Sequence, residues 1–142
     1  MDLIIRAITP QESDIAADLE RECLHTAWSA EQIRDLPPQA IYLGAFQGEA
    51  LCGILSAYLV ADEVQVMNLA VYPQFRRQGM AKALMGELIS QAKAKNCFNI
   101  TLEVAENNAS AISLYENCGF SAVGNRKGFY GDVSAVIMEK LL

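Results

Sequence analysis

Asn68-Leu69-Ala70-Val71-Tyr72-Pro73-Gln74-Phe75-Arg76-Arg77-Gln78-Gly79-Met80-Ala81-Lys82 contains the end of a strand, a short turn and the start of a helix. Strand formers run from Val64 to Tyr72 and stop at Pro73, which cannot donate to a ladder. From Gly79 the period changes. Met80, Leu84, Leu88 and Ala92 recur at four-residue steps, with Ala81, Met85 and Ile89 beside them, which predicts an amphipathic helix to about Lys95. The first turn of such a helix exposes unpaired amide N–H groups and the positive end of its dipole, a ready site for a phosphate anion. Gly79 lets the backbone approach a ligand closely, and Ala81 keeps the next position small. Arg76, Arg77 and Lys82 put three cations around the turn, although the chain as a whole carries a net charge of −6. A P-loop would need a second glycine and a Lys-Ser/Thr pair that this stretch lacks. A dinucleotide fingerprint has only Gly79 in place, with Glu103 near the position of a ribose-binding acid. On physics alone the other reading is an ordinary strand-turn-helix with solvated arginines.

The remaining elements are read outward from that turn. Residues 2–8 form a strand, and Thr9 and Pro10 open a helix that runs to about Leu24. A short helix follows Ser29 and is closed by Pro37-Pro38. Residues 40–46 and 50–60 are strands flanking the hairpin turn Gln47-Gly48-Glu49. Asn99–Ala105 is a strand, residues 108–117 are a helix ended by Gly119, and Ser121–Asn125 and Ser134–Leu141 are the last strands. The order β-α-α-β-β-β-α-β-α-β-β predicts an α/β (α+β) fold with a mixed central sheet and packed helices. The 142 residues fit one domain, 1–142.

An apolar share of 52% supports a core without disulfides. Cys23, Cys52, Cys97 and Cys118 are far apart and only His25 could join them, so no metal is expected. The negative charge argues against a nucleic-acid partner. No apolar run approaches the roughly 18 residues of a membrane span. The expectation is a soluble cytoplasmic protein with neither nucleic-acid nor membrane partners, and an acidic surface that suits a cationic one. Oligomeric state is not legible.

Asn68-Leu69-Ala70-Val71-Tyr72-Pro73 followed by Arg76-Arg77-Gln78-Gly79-Met80-Ala81 resembles the coenzyme A motif of the GNAT family of N-acetyltransferases, usually Arg/Gln-x-x-Gly-x-Gly/Ala. The resemblance implies a sheet splayed at the cofactor site, with helices on both faces, and acetyl-coenzyme A as cosubstrate. Leu69, Ala70 and Val71 would pair with the pantetheine amides. Arg77, Gln78, Gly79, Met80, Ala81 and Lys82 would present N–H groups to the pyrophosphate.

In Asn99-Ile100-Thr101-Leu102-Glu103-Val104, Thr101 and Glu103 share one face and the aliphatic residues share the other. Glu103 reads either as a solvated carboxylate or as a general base in the cleft, since acyl transfer needs a neutral amine. At its ordinary pKa of about 4.3 a glutamate is a weak base for this, so partial burial or a relay water is expected. Tyr115 reads as a core aromatic with a bonded hydroxyl, and it shares a helix face with Asn108 seven residues earlier. Leu114-Tyr115-Glu116-Asn117-Cys118-Gly119-Phe120 resembles the family's final motif. By that likeness Tyr115 is the acid that protonates the departing thiolate, and Asn108 also contacts the cofactor. Direct transfer in a ternary complex follows. A covalent route through Cys118 is disfavoured, because a helix C-terminus opposes a thiolate.

Within the family the likeness extends to the bacterial branch that acetylates the N-terminal alanine of small-subunit ribosomal protein eighteen. It includes Ala27-Trp28-Ser29, Asp62-Glu63 and Arg126-Lys127-x-Phe129-Tyr130. The implied partner is a ribosomal-protein N-terminal peptide. Val133-Ser134-Ala135 departs from that branch's acidic pair, and the Tyr130 loop is short, both where a peptide would dock. An α-amine, with a pKa of about 7.7–8.0 against about 10.4 for lysine, is the easier nucleophile. A free small-molecule amine or a lysine as acceptor, and a non-catalytic coenzyme A sensor, are the competing readings.

Overall fold

The computed structural model describes residues 2–142, apart from the side chains of Phe129 and Tyr130. The Tyr130 side chain, singled out near the acceptor, therefore lies outside the described residues. The elements are β1 (Leu3–Ala7), α1 (Ser13–Cys23), α2 (Ala30–Arg34), β2 (Ala40–Gln47), β3 (Ala50–Val60), β4 (Glu63–Val71), α3 (Met80–Ala94), β5 (Asn99–Ala105), α4 (Ala109–Asn117), β6 (Ser121–Tyr130) and β7 (Val133–Leu141). Two boundaries differ from the sequence reading by three residues or more. Thr9 and Glu12 close a capping box around a 3-10 turn, Pro10–Glu12, before α1 begins. Strand β6 continues to Tyr130 rather than stopping at Asn125, because an irregular register after Arg126 absorbs extra residues and Gly131, at φ +71°, permits a tight return into β7.

The seven strands run in the order β1-β2-β3-β4-β5-β7-β6. Neighbouring strands are antiparallel except β4 and β5, whose parallel contact has three pairs, Glu63↔Asn99, Val64↔Ile100 and Gln65↔Thr101. Asn99 clasps that closed end, its Nδ2 donating to Glu63 of β4 at 3.0 Å and to Glu139 of β7 at 2.7 Å. Beyond Gln65 the two strands part. The departure coincides with a bulge: Ser56 pairs with Asn68 but Ala57 with Val66, so Met67 is inserted and left 46% exposed. A bulge bends and twists its strand, and here it carries β4 away from β5. The expected mixed, splayed sheet is thus present.

Side chains alternate between two faces. Leu43, Leu55, Val64, Ile100, Leu102, Val104 and Met138 pack with Leu84, Met85 and Leu88 of α3 and Tyr115 of α4. On the opposite face Tyr42, Phe46, Ile54 and Ala70 pack with Ala16, Ala17 and Leu19 of α1 and Ile33 of α2. Helices cover both faces. No helix among the described residues is long and apolar enough to cross a membrane, and no group of three or more His, Cys, Asp or Glu among them is placed to hold a metal ion.

Glu20 of α1 is 0% exposed. A buried carboxylate is costly unless its oxygens are satisfied; here the Trp28 amide donates to Oε1 at 2.8 Å and the Tyr42 hydroxyl donates to Oε2. Burial, then the bond to Glu20, holds the Tyr42 phenol far above its usual range. The arrangement ties the α1–α2 connection down onto the sheet. Tyr42→Phe removes one donor and leaves a buried carboxylate oxygen unpaired. Stability should fall by about 1–3 kcal/mol, read as a lower urea midpoint at unchanged slope.

Candidate active site

The segment between β4 and α3 meets the requirements of an anion site. Gly79 caps α3 at φ +80°, and a Cβ built there would meet nothing within 4 Å. Arg77 also has a positive φ, +63°, an uncommon conformation for a residue with a side chain. Left-handed residues interspersed with right-handed ones turn successive N–H groups toward one point. Among the described residues, no backbone carbonyl accepts from any of the six amides from Arg77 to Lys82. Those are the six positions expected to hold the pyrophosphate, and at Gly79 the space a Cβ would face is open to 4 Å.

The three cations expected around this turn are all exposed. Arg76 folds back, its Nε donating to the Val71 carbonyl at 3.0 Å. Cys23 Sγ lies 3.8 Å from the same oxygen. Burial raises the Cys23 thiol, with Arg76 pulling the other way.

The open edge of β4 supplies the next groups. Tyr72 N–H is bonded to Cys52 of β3, and Val71 and Leu69 pair opposite Gly53 and Leu55. Peptide groups on a strand alternate in direction, so those of Leu69 and Val71 point away from β3, toward the gap left by β5. Ala70 faces β3 with its peptide and fills the α1 side of the core. Of the three residues expected to pair with pantetheine, Leu69 and Val71 turn their peptide groups to the gap, and Arg76 is already on the Val71 oxygen.

Glu103 stands on β5 past the point of separation, on the face opposite Leu102 and Val104. Its carboxylate is 24% exposed and Oε1 accepts from Arg126 Nη2 at 2.7 Å, the arginine being 57% exposed. Arg126 is not on the neighbouring strand. It lies opposite Ala135 of β7, while Glu103 lies opposite Ile137 of the same strand, so the guanidinium crosses β7 over the small Ala135 side chain. The sequence reading left Glu103 either solvated or in the cleft and did not identify Arg126 as its partner. Nothing in the sequence shows that β6 and β5 are separated by β7.

Tyr115 is 9% exposed on α4, within the core of the α3 side, its ring 6.0 Å edge-on from Phe120. Glu103 and Tyr115 therefore occupy opposite faces of the sheet, and the gap between β4 and β5 is where those faces communicate. Asn108 caps α4, its Oδ1 accepting the Ala111 amide at 3.2 Å, which leaves its Nδ2 for any ligand. Burial raises the Cys118 thiol, with Lys82 and Lys140 opposing. That does not favour a nucleophilic thiolate.

The acetyltransferase (GNAT) family model matches residues 8–120. The [ribosomal protein bS18]-alanine N-acetyltransferase of Escherichia coli strain K12 is 38% identical over 84 residues, covering 56% of this chain and 57% of that protein. The chain thus matches little more than half the length of that relative. The Haemophilus influenzae protein of the same name is 30% identical over 141 residues, covering 95% of this chain and 96% of its own. The crystal structure of the Escherichia coli ribosomal-protein-S18-alanine N-acetyltransferase matches with a TM-score of 0.90 at 26% identity, over 99% of this chain and 94% of that one.

Gly79→Val tests the anion site. A β-branched residue at this φ costs about 1–2 kcal/mol and puts methyl groups where a ligand would approach. Coenzyme A titrated by calorimetry should bind at least tenfold more weakly, while the variant remains folded by circular dichroism.

Proposed function

Because the chain belongs to the acetyltransferase (GNAT) family, we propose that it moves the acetyl group of acetyl-coenzyme A onto the N-terminal α-amine of a protein, alanine of small-subunit ribosomal protein eighteen. Residues 1–142 act as one acetyltransferase domain in the cytoplasm, with the ribosomal-protein N-terminal peptide as partner. The observation that carries acetyl-coenzyme A binding is the run of six unpaired amides, Arg77 to Lys82, at the mouth of the β4–β5 gap. The alanine acceptor is supported by the Escherichia coli and Haemophilus influenzae relatives.

The chain's groups suit direct transfer. The amides of residues 77–82 would hold the pyrophosphate, and the backbones of Leu69 and Val71 would hold the pantetheine arm. Bound there, the cosubstrate supplies a thioester carbonyl carbon for attack. Glu103 takes the proton that the acceptor ammonium must lose, so the nitrogen lone pair can form the new C–N bond as the C–S bond breaks. Tyr115 gives its hydroxyl proton to the departing thiolate and regains one from solvent; the second proton of the attacking nitrogen leaves to water as the C–N bond forms, and Glu103 releases the first to solvent. Arg126 bonds to one carboxylate oxygen, so Oε2 is the one for the amine.

Positioned proton transfer contributes about 10²–10⁴-fold, so Glu103→Gln and Tyr115→Phe should each lower kcat by that order with the KM for acetyl-coenzyme A nearly unchanged. A Glu103→Gln protein with native turnover across pH would remove the base assignment. Mass spectrometry over a substrate panel tests the acceptor: one acetyl group should appear on a peptide beginning with alanine and on neither a lysine side chain nor a polyamine. Acetylation of the small amines alone would replace the peptide reading. Coenzyme A binding without transfer to anything in the panel would leave a sensor.

A further inference from the structure

Beside α2 the surface holds a cavity of about 430 Å³ whose lining includes Trp28, Tyr58, Glu31 and Asp35. The Trp28 and Tyr58 rings are 6.3 Å apart and inclined at 51°, giving two aromatic faces along one wall. Glu31 and Asp35 are four residues apart and so lie on the same side of the helical turn. Asp35 shares its carboxylate with Arg34, at 3.2 Å, but both are more than half exposed, and such a pair is weak and readily exchanged. The wall is fixed before any ligand arrives: the Trp28 amide is tied to buried Glu20, and Ser29 and Gln32 close a capping box beneath it. Aromatic faces with carboxylates opposite are the surroundings that hold a lysine or arginine side chain, through ring quadrupole and charge together.

The sheet register relates this cavity to the candidate base. Tyr58 pairs with Gln65, and Gln65 pairs with Thr101. Thr101 lies two residues before Glu103 and on its face, which is also the face of Trp28 and Tyr58. Two strand spacings of about 4.8 Å and two residues at about 3.3 Å separate Tyr58 from Glu103, about 12 Å in all. An extended chain covers that in about four residues.

The geometry points to a subsite for a cationic side chain, lysine or arginine, within about the first four residues of the acceptor chain, bound between the Trp28–Tyr58 wall and the carboxylates of Glu31 and Asp35. This rests on the acceptor's being a protein N-terminus. The net charge of −6 favours a positively charged partner.

Trp28 is the chain's single tryptophan, so its fluorescence reports occupancy of the cavity without turnover. Alanine-initiated peptides, otherwise neutral, would carry arginine, or its uncharged isostere citrulline, at each of positions two to five. At one of these positions arginine should raise kcat/KM about tenfold over citrulline and shift Trp28 emission at a correspondingly lower peptide concentration. The double variant Glu31→Gln/Asp35→Asn should lose that preference, with the KM for acetyl-coenzyme A unchanged. Equal kcat/KM and equal Trp28 titrations for arginine and citrulline at every position would overturn the subsite while leaving acetyl transfer standing. The same follows if the double variant discriminates as well as the native chain. Should no peptide be acetylated, the N-terminal reading fails, and charge-dependent Trp28 titrations would then still uphold the cation site.

Discussion

Among the described residues, three pairs of parallel ladder link β4 to β5, clasped by Asn99 between Glu63 and Glu139. Parallel strands in continuous contact would give an unbroken sheet with no access between its faces. Stopping the pairing at Gln65 leaves peptide groups of Leu69 and Val71 without strand partners, and unpaired main-chain groups must find another partner or water. The same separation lets a ligand reach the α3 N-terminus along the β4 edge. Glu103 lies on one face of the sheet past that separation, and Tyr115 packs on the other. The bulge at Met67 and the clasp at Asn99 are complementary: one forces the strands apart and the other limits how far the separation runs.

Rigidity is distributed to match. The α1–α2 connection is anchored through Glu20, a fully buried carboxylate with two donors, although an apolar side chain would be the less costly way to fill that space. A carboxylate can hold a backbone amide at a fixed point, which a leucine cannot. Its use at Trp28 puts a costly interaction where a loop would otherwise move, on the face shared with Glu103.

Much of this was legible in the sequence. The period change at Gly79 located the strand-turn-helix, and Pro73, Ser29, Thr9 and Gly119 marked element ends because each acts locally through its own backbone or cap. Period two placed Glu103 opposite Leu102 without any tertiary information. The failures were of another kind. The sequence puts Arg76 at the turn but does not show that its guanidinium bonds the Val71 carbonyl, a choice made by a neighbour in space. Arg126 could not be matched to Glu103, because the pairing skips over β7 and depends on the β5-β7-β6 order. The extension of β6 to Tyr130 was missed because an irregular register hides the alternation on which a strand is recognised.

The passage of Arg126 over β7 has a consequence for how this region can change. Ala135 is fully buried beneath the crossing, and a larger side chain there would obstruct the guanidinium. Positions 103, 126 and 135 are therefore coupled although no two of them adjoin in sequence. Substitutions among them should be non-additive, as for residues that share one interaction. A lineage that enlarges residue 135 would be freed from keeping arginine at 126, and would need another way to orient the carboxylate at 103.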